Sequence, residues 1–272
     1  ITGRNGRVIK PRVLKTKEEQ TERAKGMAEV FTPSWICNAQ NNLVDEAWFG
    51  RKDVFNIEDS ANKTWQAVAT KIEFPEGKTW KDYVCSTRLE ITCGEAPYIA
   101  SRYDATTGNF IPLQERVGLL DRKLRIVSEN VDDKAEWIEW ARKAYQNIYA
   151  YEWQGDNLLL AREAILITFV EYYQDKFGQA PDLEHIKDIA YIISWNVWQM
   201  DGLKCVVPNS CHSGVKVELT LFGEEVEKDI CEGCRKGDVD KHNGTYCKII
   251  DWSVKDSTGN YGKKIEFRKL LK

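Results

Sequence analysis

The chain contains no uninterrupted apolar run near the roughly 18 residues that a membrane helix needs, and no basic-then-apolar leader opens it. Both absences predict a cytoplasmic protein with no membrane partner. A surplus of positive charge is missing too: 39 Lys and Arg stand against 42 Asp and Glu, for a formal net charge of −3. That excludes a chain-wide basic field for gripping nucleic acid, so any DNA contact must be local. The N-terminal leader gathers Arg4, Arg7, Lys10, Arg12, Lys15 and Lys17, which are either solvated or available to phosphates. There is no internal repeat and no low-complexity segment. What remains, 272 residues at 42% hydrophobic, suffices for one large α/β domain, or for an ordinary domain with a small appendage.

Eight cysteines without a secretory signal read as reduced thiols. Cys37, Cys85 and Cys93 sit singly among apolar neighbours, as small buried hydrophobes do. Cys205, Cys211, Cys231, Cys234 and Cys247 cluster in the last quarter with His212 and His242.

The pattern along the chain predicts a polar helix over 15–30, ended by the Phe31-Thr32-Pro33 turn, and a second helix after Ser34 with Trp35, Ala39, Leu43 and Ala47 on its apolar face. The stretches 50–77 and 108–130 show no clean period. Thr79 caps a short helix, and Arg88 to Thr92 reads as a strand entering a glycine turn. Asp132 and Asp133 start a helix with Trp137, Trp140, Ala141, Ala144 and Tyr145 along one stripe. Next come a strand over 148–152, a long helix closed by Gly178, a helix from Asp182, and a strand ending at Met200-Asp201. Strands alternating with helices predict a parallel sheet with helices packed over it. Beyond 204 the chain turns Gly- and Cys-rich, with short strand-like pieces over 215–221 and 246–252. The division expected is an N-terminal helical region (1–78), an α/β core (79–203) and a small β-rich C-terminal element (204–272).

In a parallel sheet, ligands bind where strand carboxyl ends meet loops and helix N-termini. Glu90 puts an acid at one such end with Gly94 in the turn after it, where the backbone can approach a ligand closely. Glu152 puts an acid at the second end, followed by Trp153, and Asp201 at the third. Taken in order, Val30-Phe31-Thr32-Pro33, Leu89-Glu90-Ile91-Thr92-Cys93-Gly94, Tyr151-Glu152-Trp153 and Trp198-Gln199-Met200-Asp201-Gly202-Leu203 resemble the cofactor-binding part of a gamma-class adenine-N6 DNA methyltransferase of the type IIG restriction-modification family. The run from Tyr149 to Ile165 is similar to the family's segment in which the ribose-binding acid leads into the next helix.

The resemblance implies a Rossmann-like methyltransferase sheet that binds S-adenosylmethionine. It places Phe31, Thr32 and Pro33 by the methionine part of the cofactor, Glu90, Thr92 and Gly94 in the first cofactor loop, Glu152 and Trp153 at the ribose, and Asp201 at the adenine amino group. The chain departs from the family where Glu95-Ala96-Pro97 replaces a second glycine, and the family's Asn-Pro-Pro-Tyr loop occurs nowhere. Extruding and holding an adenine needs acceptors for its amino group and an aromatic ring to stack on it. The expectation is therefore a methyltransferase component that acts on DNA with a C-terminal continuation or companion subunit supplying that loop and target recognition. The alternative is a non-catalytic DNA-binding or assembly subunit with a structural zinc tail.

Cys231-Glu232-Gly233-Cys234 has the two-residue gap that brings two thiolates to one tetrahedral zinc. Further ligands are available from Cys211 or Cys205 upstream and from His242 or Cys247 downstream. The zinc expected there is structural, since a cysteine-rich closed site leaves no open position for substrate.

Overall fold

The structure, a computed structural model, describes residues 9–220, 223–255 and 261–271, and only the backbone of 215–220, 223–229 and 261. Arg4 and Arg7 of the leader, and Leu221 at the end of an expected strand, lie outside the described residues. Thr16 starts helix α1 (Lys17–Met27) with a reciprocal cap: its hydroxyl accepts the Glu19 N–H, and the Glu19 carboxylate accepts its own. The helix stops at Ala28, whose φ of 52° is left-handed, and so ends before the Phe31-Thr32-Pro33 turn rather than at it.

Helix α2 (Ser34–Phe49) forms as expected but buries a different face. Leu43 is 64% exposed, while Asn38, Asn41 and Asp45 are buried. Apolar periodicity misleads here because these three polar residues are buried and hydrogen-bonded to other parts of the chain. Asp45 accepts the Tyr83 hydroxyl at 2.7 Å and the Arg122 guanidinium, Asn38 and Asn56 exchange amide hydrogen bonds, and Asn41 donates to the Tyr98 and Val117 carbonyls.

The irregular stretch that follows holds an antiparallel hairpin, β1 (Asn56–Asp59) and β2 (Thr64–Ala67). Thr79 and Asp82 form a second capping box at the start of α3 (Trp80–Cys85), which leads into β3 (Arg88–Glu90). Cys85, expected in the core, is exposed. Helix α4 (Leu119–Asn130) occupies sequence without a clean period because Asp121, Arg122 and Lys123 are all buried in it. Asp133 caps α5 (Lys134–Gln146), whose expected stripe is buried throughout. Then come β4 (Ile148–Glu152), α6 (Gly155–Phe177) closed by Gly178 at φ 67°, α7 (Leu183–Asn196) and β5 (Val197–Gln199). The tail contains the hairpin β6 (Gly214–Thr220) and β7 (Gly223–Asp229), α8 (Glu232–Lys236), and the hairpin β8 (Lys248–Lys255) and β9 (Tyr261–Glu266).

The fold is mixed α/β around a parallel sheet of β3, β4 and β5, in that spatial order. Successive residues face opposite sides of a strand. Ile148, Ala150 and Val197 thus enter the helical core with Trp137, Ala141, Ile165 and Ile193. Tyr149, Tyr151 and Trp198 face the other way, onto Cys205, Cys247, Ile249 and Phe267, so the tail lies on the second face of the sheet. Among the described residues no helix is long and apolar enough to cross a membrane.

Candidate functional site

Parallel pairing brings the three strand ends to one edge. The Cys93 N–H donates to the Tyr151 carbonyl at 2.9 Å, and the Met200 N–H to the Glu152 carbonyl at 3.0 Å, so the chain leaves each strand while still tied to its neighbour. The turn after β3 is strained: Thr92, Gly94 and Ala96 have φ of 48°, 55° and 59°. A β-branched residue such as Thr92 rarely adopts that region, and strain of this kind concentrates at ligand sites. Glu152 fastens the turn, its Oε2 accepting the Gly94 N–H at 2.8 Å and its Oε1 the Gln154 N–H at 3.0 Å.

Beside this turn lies a cavity of 460 Å³ lined by Phe31, Thr32, Glu90, Thr92, Gly94 and Tyr98, among others. That is within the roughly 300–1,000 Å³ of small-molecule sites. Residues far apart in sequence meet here, and a Cβ on Gly94 would stand 3.5 Å from the Phe31 ring. Glu90 is buried, and its Oε2 has no hydrogen-bond partner among the described residues. Burial drives its carboxyl well above the usual carboxylate range; the Tyr98 and Ile99 amides oppose that rise, and the nearby Glu152 charge adds to it. An unpaired buried acid beside a cavity suits a ligand that brings a positive charge or a hydrogen-bond donor.

Sequence reasoning missed two supports of this site. Glu95 is buried, its carboxylate accepting the Arg12 N–H at 2.7 Å and the Tyr103 hydroxyl. The described part of the leader is bound within the chain: the Arg12 guanidinium lies 5.4 Å from the Phe31 ring centre, and Lys15 and Arg23 pair with both Glu29 and Asp156. Arg12 and Lys15 thus hold the leader against the first turn and α6, which gives them a role other than phosphate contact.

Four expected residues lie outside the cavity wall. Pro33 is the N-cap of α2, and the Trp153 carbonyl accepts the Gln199 amide at 2.8 Å. Glu152 reaches the cavity only through Gly94. Asp201 is buried beyond β5, its Oδ1 accepting the Leu203 and Lys204 N–H groups while Oδ2 is 3.3 Å from the Lys204 ammonium.

The tail brings Cys211, Cys231, Cys234 and His242 together, all four ligand atoms within 4.8 Å of one another. Each sulfur is 3.6 Å from His242 Nδ1. Zinc bonds of about 2.3 Å to sulfur and 2.0–2.1 Å to nitrogen at a tetrahedral angle put S and N about 3.6 Å apart, so this donor set can hold a metal such as zinc. Burial opposes ionisation of Cys231, but the Asn243 and Cys234 N–H groups and the His242 ring outweigh it and hold the thiol down at about 6. Cys211, partly desolvated and facing the other two sulfurs, is pushed up to about 11. His242 completes the set and Cys247 does not: Cys247 is buried against the sheet, its thiol 3.2 Å from the Gln199 carbonyl. Cys205 lies in that same packed layer, and the His212 backbone exchanges hydrogen bonds with the Asn243 side-chain amide.

A Cβ on Gly233 would come within 2.6 Å of the His242 nitrogen and 2.7 Å of its Nδ1, so the knuckle closes only because that residue has no side chain. Gly233→Ala is therefore expected to weaken metal binding at least as much as the roughly 10–100-fold typical of changes next to a ligand shell, read by competition with a chromogenic chelator. No family model, no curated protein and no solved structure matches the chain.

Proposed function

We propose that this chain is the S-adenosylmethionine-binding component of an adenine-N6 DNA methyltransferase of a restriction-modification system, with a zinc ion fastening its tail. One observation carries the reading: Glu90, a buried acid whose Oε2 has no hydrogen-bond partner among the described residues, is part of the wall of a cavity that Phe31, Thr32 and Gly94 also line. The family resemblance assigns Phe31 and Thr32 to the methionine end of the cofactor, which carries an ammonium group, and Glu90 and Gly94 to the first cofactor loop beside it. When bound, S-adenosylmethionine supplies an electrophilic methyl group. The chain's own part is to bind and orient. Glu90 fixes the cationic end, the Gly94 backbone approaches closely under the Phe31 ring, and Glu152 keeps that turn in place. The parallel order β3, β4, β5 supports reading the sheet as Rossmann-like.

A second reading, a non-catalytic DNA-binding or assembly subunit, is favoured by the engagement of Glu152 and Asp201. Both carboxylates already accept backbone N–H groups, as structural acids do. The assay that separates the readings is transfer of labelled methyl groups to mixed-sequence DNA. The chain alone is expected to give none, because no acceptor-and-ring loop is present to hold a flipped adenine. Addition of a polypeptide carrying Asn-Pro-Pro-Tyr is expected to restore transfer. Cofactor binding with no activity in any combination would favour the second reading.

A further inference from the structure

One side of the cavity wall, Val30, Phe31 and Thr32, belongs to the leader, and the leader is not held there by apolar burial. Helix α1, which precedes these residues, has no buried residue. An isolated helix of 11 residues is marginal in water, so contacts with the rest of the chain must keep it in place. Those contacts are polar and fall at two points. At the α6 end, Lys15 and Arg23 pair with Glu29 and Asp156, and the Asn157 amide donates to Glu29 at 3.1 Å. At the cavity end there is Glu95. It follows Gly94 in the strained turn, is buried, and lies outside the cavity wall. Its Oε1 accepts the Arg12 N–H at 2.7 Å and its Oε2 the Tyr103 hydroxyl. Arg12 passes the contact on in both directions: its carbonyl accepts the Gln20 amide of α1 at 3.1 Å, and its guanidinium stands over the Phe31 ring. Tyr103 opens a loop that meets the leader side again. A Cβ on Gly108 would come within 3.1 Å of the Val13 side chain, and Asp104 accepts the Ser34 N–H at 2.6 Å.

We propose that Glu95 is a positioning residue of this cavity, clamping the leader to the first turn and so setting the Phe31 ring against Gly94. The clamp needs two acceptor oxygens on one side chain, because a backbone N–H and a hydroxyl reach it from different segments. Hydrogen bonds to a carboxylate are also stronger than those between neutral groups.

Docking of the leader and binding of a ligand then become linked. A ligand that touches Phe31 meets its full site only in chains whose leader is docked, so its apparent affinity falls in proportion to the docked fraction. Glu95 acts on the ligand through Arg12 and Phe31, without touching it. This rests on the reading of the cavity as a cofactor site and adds to that site a residue outside its wall.

The test uses the full, metal-loaded chain, read by hydrogen exchange without ligand and by titration with S-adenosylmethionine. In Glu95→Ala, residues 12–31 should lose protection while 148–152 keep theirs, and affinity should fall by about 10-fold or more, the scale of one hydrogen bond to a charged group. Glu95→Gln, which keeps an acceptor for the Arg12 N–H, should restore most of both. Phe31→Ala made in the Glu95→Ala background should add little, because both changes break the same route. Arg12→Pro reaches the clamp from the leader and leaves the core untouched. Pro11, with ψ of 150°, tolerates a following proline, and the change deletes the N–H that Glu95 accepts. It should release the leader and weaken binding more than Arg12→Ala, which removes only the guanidinium. Unchanged protection of the leader in Glu95→Ala, additive losses from Glu95→Ala and Phe31→Ala, or an Arg12→Pro no worse than Arg12→Ala would each overturn the proposal. Exchange that responds as expected in a chain that binds no S-adenosylmethionine would remove the cofactor reading and leave the clamp.

Discussion

Cys231→Ser is expected to strip the metal from the chain and to loosen the tail from the sheet. Cys231 contributes a thiol held below its ordinary range, stands at the N-cap position of α8, and accepts the Asn243 N–H through its sulfur at 3.4 Å. The loss should propagate beyond the knuckle. The His242 N–H donates to the Tyr246 hydroxyl, which donates to the Val239 carbonyl, and Tyr246 bridges to Val206, which in turn bridges to Asp201. The Cys231 and His242 cluster is thus linked to the end of β5. Structural zinc supplies about 10–16 kcal/mol of apparent binding energy in small zinc-finger peptides, so even part of it outweighs what a short loop-rich tail gains by burial. Elemental analysis of protein purified without added metal should fall from one zinc per chain to nearly none, and hydrogen exchange should show 231–247 losing protection. Cys247→Ser should keep its metal, since that sulfur faces the sheet. Unchanged metal content and melting temperature in Cys231→Ser would remove the site.

The second large effect is expected from Glu90→Gln, and it should act on fold and ligand in opposite directions. The Glu90 carboxyl is raised well above its ordinary value, so the folded chain holds this proton more tightly than the unfolded chain does. The resulting stabilisation is complete below the unfolded pKa and is lost as pH rises through the folded one. Glutamine carries no such penalty, so the ligand-free variant should melt higher than the parent at neutral pH and above. Binding should suffer, because a charge-assisted hydrogen bond of roughly 1.5–3 kcal/mol is removed, equivalent to about a 10–100-fold loss of affinity for S-adenosylmethionine. In the parent, the cationic ligand should displace the proton, so affinity should increase with pH over the range in which free Glu90 is protonated. Titrations in buffers of different ionisation enthalpy would detect the released proton. Equal affinities for parent and variant would place the ligand elsewhere.

Much of this architecture is legible in the sequence where local chemistry and burial agree. Thr79 and Asp133 mark helix starts, Gly178 marks a helix end, and the 148–152 strand has the bounds its alternation predicts. Legibility fails where the interior is polar. Asn38, Asn41 and Asp45 look like a solvated face of α2, and Asp121, Arg122 and Lys123 hide α4, because each is buried against partners that lie far off in sequence. Lys123, for instance, donates to the Val84 and Ser86 carbonyls at the end of α3. The candidate metal cluster is half legible in the sequence. The Cys231–Cys234 spacing identifies two ligands, but the choice of His242 over Cys247 depends on which side of the sheet each residue reaches. For the cavity, the acids at the strand ends could be read in advance. The meeting of Phe31 with Gly94, and the exclusion of Asp201 from the wall, could not, since both depend on how the leader and the tail fold back.

The most direct test of the central claim is calorimetric titration of the purified, metal-loaded chain with S-adenosylmethionine, repeated with Phe31→Ala. The account predicts saturable one-to-one binding, shared by S-adenosylhomocysteine and weakened when the ring over Gly94 is removed. No heat of binding from the parent chain, or binding indifferent to Phe31, would contradict it.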